Sequence, residues 1–151
     1  MIRVPVSGGS QVAVHELSLG PTDLLAVHAT GLHGQVWRPV VEHLPGRFRV
    51  LALDVRGHGV SGPMPDAGPG WAELAGDLLA VVDELHLRRP LAVGHSSGAS
   101  LLLLAEEQRP GTFAGFYCIE PIGSASDETV PPNPAHPLAE GARRRRDVFP
   151  S

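Results

Sequence analysis

The chain has 151 residues, is 42% hydrophobic and 19% charged, and carries a formal net charge of -4. That is enough apolar material for one domain with its own core, and it excludes a disordered acidic chain and a fibrous repeat. All twelve basic residues are arginine, which excludes a Walker lysine, a Schiff-base lysine and a Ser-Lys dyad.

The acidic balance gives no footprint for nucleic acid. A single cysteine, Cys118, excludes an intrachain disulfide and a multi-cysteine zinc site. No apolar stretch reaches the ~18 residues of a membrane span. The opening MIRVPVSGGSQVAVHEL alternates like a strand and lacks the apolar run of a signal peptide. The expectation is a cytoplasmic protein with no nucleic-acid or membrane partner, no cofactor and no metal.

Ile2 to Val6 and Gln11 to Leu17 read as two alternating strands joined by the hairpin signal Ser7-Gly8-Gly9-Ser10. Asp23 to His28 follows as a buried strand. Val36 to Leu44 has helical spacing in Trp37, Val40, Val41 and Leu44, and Pro45-Gly46 stops it. Phe48 to Leu53 is another buried strand, and Asp54 to Gly70 a long glycine- and proline-rich loop. Trp71 to Leu87 places Leu74, Leu78, Val81, Val82 and Leu85 on one face and predicts an amphipathic helix. Leu91 to Val93 reads as a short strand, Ser97 to Gln108 as an apolar helix, and Phe113 to Ile119 as a last strand. Strands alternating with helices predict a mostly parallel α/β sheet in three layers, after an antiparallel N-terminal hairpin. From Glu120 the chain turns proline-rich and irregular, with one expected helix over Leu138 to Phe149 bearing Arg143 to Arg146. Those arginines read as a solvated helix face.

Three motifs carry the chemistry. Gly94-His95-Ser96-Ser97-Gly98 lies between the strand PLAV and a helix. A serine on such a strand-to-helix turn has its hydroxyl thrust out above the sheet edge, with the helix N-terminus behind it. A bare helix cap is the bland alternative. His28-Ala29-Thr30-Gly31-Leu32-His33-Gly34 follows directly on a strand, and a bend there is expected to aim the Thr30 N–H at the same point as the Ser97 N–H, two donors for an oxyanion hole. His33-Gly34 offers a rival alignment, but His28 sits where the strand ends and is preferred. In Asp54-Val55-Arg56-Gly57-His58-Gly59-Val60-Ser61-Gly62 the spacing Gly57-x-Gly59-x-x-Gly62 matches a dinucleotide fingerprint. No helix follows to receive a pyrophosphate, so a nicotinamide or flavin site is rejected.

Together these motifs resemble the α/β-hydrolase fold family from about Gln11 onward. HATGLHG resembles its HGxxG oxyanion loop, DVRGHGVSG its D-x-R-G-x-G-x-S segment, and GHSSGAS its nucleophile elbow. Trp37 and the pair Glu120-Pro121 after a strand also fit, while Ala29 and Ala99 stand where glycine is usual. The resemblance implies residues 1–120 as the N-terminal part of the core and 121–151 as the beginning of a lid, with the sheet incomplete at its C-terminal side. It implies Ser96 as nucleophile, the N–H groups of Thr30 and Ser97 as the oxyanion hole, and Glu120 as a candidate acid. The family order is Ser, then Asp or Glu, then His.

His136 is the only histidine after Ser96 and reads as a solvated loop residue, so the catalytic histidine is expected outside this chain. The expected function is a serine hydrolase acting on an ester-type bond, with the chain alone inactive. The alternative is a non-catalytic truncated fragment or half of a split protein, an interaction module. Its expected partner is a complementing C-terminal half or a second copy at the exposed sheet edge. His28, His33 and His58 read as loop hydrogen-bonders without metal-ligand spacing, and Cys118 as a core residue.

Overall fold

Strand β1 (Ile2–Pro5) pairs antiparallel with β2 (Gln11–Glu16), and a 3-10 turn over Ser7–Gly9 closes the hairpin. The structure is a computed structural model describing residues 1–44, 46–64 and 70–122. Beyond the hairpin come β3 (Thr22–Val27), β4 (Phe48–Asp54), β5 (Leu91–His95) and β6 (Gly115–Ile119). The six strands order as β1-β2-β4-β3-β5-β6, with β2 antiparallel to β4 and the remaining pairs parallel. This is the expected mixed α/β sheet. The expected lid start and helix, with His136 and Arg143 to Arg146, lie outside the described residues apart from Pro121 and Ile122.

Alternation explains why the central strands are apolar throughout. Leu51 and Leu53 of β4, with Leu25 and Val27 of β3, face one core. Val50 and Ala52, with Ala26, face a second core around Trp37. Both faces of a parallel sheet are covered, so no polar period appears. The first core also receives α2 (Trp71–Glu84) and α3 (Ser97–Gln108). Leu74, Leu78, Leu101 and Leu102 are fully buried there, each worth about 1.5–3 kcal/mol of transfer.

Strand ends shift by one or two residues, and two helices differ from the periodicity by more. The helix expected over Val36 to Leu44 is a 3-10 turn at Gly34–Trp37 followed by α1 (Arg38–Val41). Pro39 has no N–H and clashes with a helix running through it, but suits a first turn, so the helix restarts at Arg38. The helix α2 stops at Glu84, three residues before the expected end. His86 takes a left-handed φ of 52°, and the turn closes through Leu87 N–H to Val82 C=O at 2.9 Å and His86 N–H to Asp83 C=O at 3.0 Å. Glycine is the usual residue in that closure, which hid the stop. No helix among the described residues is long and apolar enough to cross a membrane.

Candidate active site

The turn from β5 into α3 is forced by two glycines. A Cβ on Gly94 would lie 2.6 Å from the Ala99 backbone, and one on Gly98 would strike the Val27 carbonyl and stand 2.6 Å from that of His28. The first turn of α3 therefore presses against the end of β3. Between the glycines, Ser96 is held at φ 53°, ψ −118°, a left-handed geometry that disfavours a side chain. Its N–H donates to Ile119 C=O at 2.8 Å, and its own C=O accepts from Ala99 and Ser100 N–H at 3.0 and 3.2 Å. The half-buried hydroxyl thus sits at the C-terminal edge of the parallel strands, directly before a helix N-terminus.

The loop after β3 bends toward this point. Leu32 N–H closes a turn on Ala29 C=O at 3.1 Å, and Gly31 at φ 78° supplies the left-handed residue. Thr30 Oγ1 donates to Ser97 Oγ at 3.0 Å, so the two proposed donor residues are tied by their side chains. Neither the Thr30 nor the Ser97 N–H is taken by an acceptor among the described residues. Sequence reasoning found both residues but not the bond between their hydroxyls.

His28 is 1% exposed and bridges two loops: its Nδ1 donates to Ala29 C=O at 2.8 Å, and its Nε2 accepts from Val55 N–H at 3.0 Å. Both nitrogens are committed, which fixes the neutral Nδ1–H tautomer. Burial, helped by the neighbouring His58, lowers its pKa from 6.5 to about 4. His95 lines a cleft of about 210 Å³ beside the elbow, walled by His28, Leu32, Val36, Trp37 and Val40 and reaching Ile119.

Glu120 follows Ile119, which pairs with His95, so Glu120 and Ser96 emerge from adjacent strands at the same level. It is exposed and held at a left-handed φ of 46°. Two residues on, the chain is anchored to α3: Ser100 Oγ donates to Ile122 C=O at 2.6 Å and accepts from Ile122 N–H at 3.1 Å. No local motif announces that anchor. Cys118 is half-buried against α3, and burial raises its pKa.

The glycine-rich segment after β4 is a scaffold. Gly57, His58, Ser61 and Gly62 donate their N–H groups to Gly62, Val55, His58 and Gln11 C=O at 2.7–3.0 Å, and Val60 donates to Asp54 Oδ2 at 2.9 Å. No nest of unpaired N–H groups is left there for a pyrophosphate.

Asp54 is the hub. It also accepts from Gly34 N–H at 2.6 Å and from His15 Nε2 at 3.0 Å, and a Cβ on Gly59 would collide with its carboxylate. Burial pushes the Asp54 carboxyl up, but the His15 bond and the two N–H groups outweigh it, and its pKa falls. Arg56, fully buried, holds Asp77 through two bonds at 2.5 and 3.0 Å, Glu73 at 2.8 Å and Ser7 at 3.0 Å. Among the described residues no three His, Cys, Asp or Glu side chains gather as metal ligands.

Residues 24–151 match the model of the alpha/beta hydrolase family. A pimeloyl-[acyl-carrier protein] methyl ester esterase of Methylococcus capsulatus is 37% identical over 98 residues, covering 63% of this chain and 35% of that protein. An alpha/beta hydrolase fold protein from Burkholderia ambifaria superposes with a TM-score of 0.72 at 30% identity, covering 83% of this chain and 45% of that one. A hydrolase from Pseudomonas aeruginosa gives a TM-score of 0.75 at 25% identity, covering 99% and 53%. The chain spans about a third of the length of that curated relative and about half of each solved one. By the family match and the order of its sheet, the chain belongs to the alpha/beta hydrolase family.

Proposed function

We propose that the chain carries the nucleophile and oxyanion hole of a cytoplasmic serine hydrolase that cleaves an ester-type bond in a small molecule. Ser96 Oγ attacks the carbonyl and gives its proton to an imidazole outside the described residues. The N–H groups of Thr30 and Ser97 hold the oxyanion. Collapse returns the proton to the leaving alkoxide, and water then releases the acid by the same path. Glu120 is the proposed acid partner of that imidazole, since it leaves the sheet one strand from Ser96. Residues 1–120 form the N-terminal part of the core in this reading, and 121–151 the beginning of a lid. The esterase among the relatives supports the choice of an ester.

The carrying observation is the strained Ser96 backbone beside two N–H groups without an acceptor among the described residues. Fluorophosphonate labelling of a catalytically competent form, followed by peptide mapping, is expected to find the label on Ser96. A label on Ser61, Ser97 or Ser100 overturns the assignment.

A second reading, an interaction module without turnover of its own, is supported by the far side of the sheet. Strand β6 pairs only with β5 among the described residues, and Phe116 and Tyr117 are 38% and 71% exposed. An unpaired apolar edge is a template for another chain, either a complementing C-terminal half or a second copy. Size exclusion and an ester assay on the 151-residue chain separate the readings. An inactive chain that self-associates or captures a complementing C-terminal half supports the module, and a stable, active monomer overturns it.

A further inference from the structure

At the edge of the sheet opposite Ser96, where β3 and β5 begin, lies a cleft of about 590 Å³. Its walls include Thr22, Asp23, His86, Arg88, Arg89 and Leu91. Arg47 stands beside it, because its C=O accepts the Thr22 N–H at 3.2 Å.

The described arginines divide sharply. Arg3, Arg38, Arg49, Arg56 and Arg109 reach Val60 C=O, Gln35, Asp23, Asp77 with Glu73, and Asp83 respectively. The guanidinium groups of Arg47, Arg88 and Arg89 hold no acceptor among the described residues; Arg88 and Arg89 line the cleft, and Arg47 is its neighbour through the backbone bond to Thr22. The acid in its wall, Asp23, is already answered by Arg49 at 2.7 Å. Two uncompensated positive charges therefore line one cleft in a chain whose net charge is -4. Arg89 is also held at a left-handed φ of 49°, a geometry that a residue with a Cβ disfavours. Its side chain is exposed, and no hydrogen bond or ion pair of it offsets that strain among the described residues.

We propose that this cleft binds a small phosphorylated molecule carrying at least two negative charges, a diphosphate or a phosphate ester. Planar guanidinium forks match phosphate oxygens in pairs, and the two in the cleft wall answer two negative charges. The cleft lies within the range of about 300–1,000 Å³ typical of small-ligand sites, and its cations are gathered in one hollow, whereas a nucleic acid needs an extended stripe.

Titration calorimetry of the 151-residue chain with inorganic diphosphate tests this directly. One saturable site is expected, weakening as salt rises above about 0.1 M. Arg88→Gln with Arg89→Gln is expected to weaken binding at least tenfold, and Arg88→Gln alone by a smaller factor. Arg38→Gln, on another part of the surface, is expected to leave it unchanged. Both target side chains are exposed, and circular dichroism checks that each variant keeps the parent fold. Non-saturating binding, equal binding by the double variant, or capture of a polynucleotide without diphosphate overturns the proposal. The Ser96→Ala chain should bind diphosphate as the parent does, so this result stands or falls apart from the hydrolase reading.

Discussion

Two glycine-rich loops leave the same edge of the sheet and use their backbone hydrogen bonds in opposite ways. After β4, the N–H groups of Gly57, His58, Val60, Ser61 and Gly62 all end on protein acceptors. After β3 and β5, those of Thr30 and Ser97 have no acceptor among the described residues, although Ser97 is 3% exposed. Both regions contain His, Gly and Ser, so composition does not separate them. Placement of the open donors does: in the closed loop the Arg56 and Gly59 N–H groups lacking an acceptor among the described residues are not adjacent, whereas the open Thr30 and Ser97 N–H groups belong to residues tied by their side chains beside Ser96. The closed loop also braces the open one, since Asp54 holds the Gly34 N–H at the end of the HATGLHG segment.

The sharpest way to break this comparison is to remove one serine from each region in turn. In a form that turns over a short-chain aryl ester, Ser96→Ala is expected to lower kcat by about 10⁶, as much as loss of a whole triad. Ser61 sits in the closed loop, where its Oγ donates to Asp54 C=O at 2.6 Å and accepts from Ala13 N–H at 2.8 Å. Ser61→Ala should instead cost about 1–3 kcal/mol of stability with fluorophosphonate labelling intact, read by urea unfolding and by mass. Loss of labelling in a folded Ser61→Ala chain would put the nucleophile in the wrong loop.

The closed loop is expected to fail through its buried charges. Burial pushes the Asp77 carboxyl up from its ordinary range, and Arg56 opposes that. Arg56→Met leaves Asp77, 2% exposed, without its partner and should cost about 3–5 kcal/mol in denaturant unfolding. A loss below about 1 kcal/mol, the value of an exposed pair, would mean that water reaches the site.

These roles were unequally legible in the sequence. The elbow was plain because G-x-S-x-G between a strand and a helix has one steric solution, and Gly94 and Gly98 meet backbone just where a Cβ would not fit. The helix stop at His86 was not, since the left-handed position there carries a side chain instead of glycine. The Asp54 hub and the Thr30–Ser97 bond were hidden for another reason. Thr30 and Ser97 are 67 residues apart, and only the parallel pairing of β3 with β5 brings them together. Ser100, the anchor for Ile122, sits one turn after Ser96 in a run that reads as plain apolar helix.

His28 couples the two loops, and acid should uncouple them. Protonation puts a second N–H on Nε2, where Val55 N–H now donates. Its pKa is 6.5 in the unfolded chain and about 4 in the folded one, so between those values the unfolded chain binds the extra proton. Unfolding is therefore favoured as pH falls. The contribution is complete above pH 6.5, shrinks through the window and is gone below about 4. A loss on the order of 3 kcal/mol follows. Urea unfolding at several pH values should show that slope, and His28→Gln should flatten it. An unchanged slope in the variant would assign the acid sensitivity to other groups.

The finest test of the comparison lies in the open loop itself. Thr30→Pro deletes the proposed donor N–H, and losing one oxyanion donor costs about 10²–10³ in rate. Thr30→Val keeps the N–H and the shape but removes the hydroxyl that bonds Ser97 at 3.0 Å. A neutral hydrogen bond of this kind is worth about 0.5–1.5 kcal/mol, so the rate of Ser96 labelling should fall by about two- to tenfold. Thr30→Ser, which restores the donor, should recover most of it. Ser97→Ala should match Thr30→Val, and the double variant should be no slower than either single one, because one bond can be lost only once. In the proposed mechanism the bond positions donors and touches no substrate, so the loss should fall on kcat with KM unchanged. Additive losses in the double variant would mean that the two hydroxyls act separately, and the open loop would then owe its position to Asp54 and His28 alone.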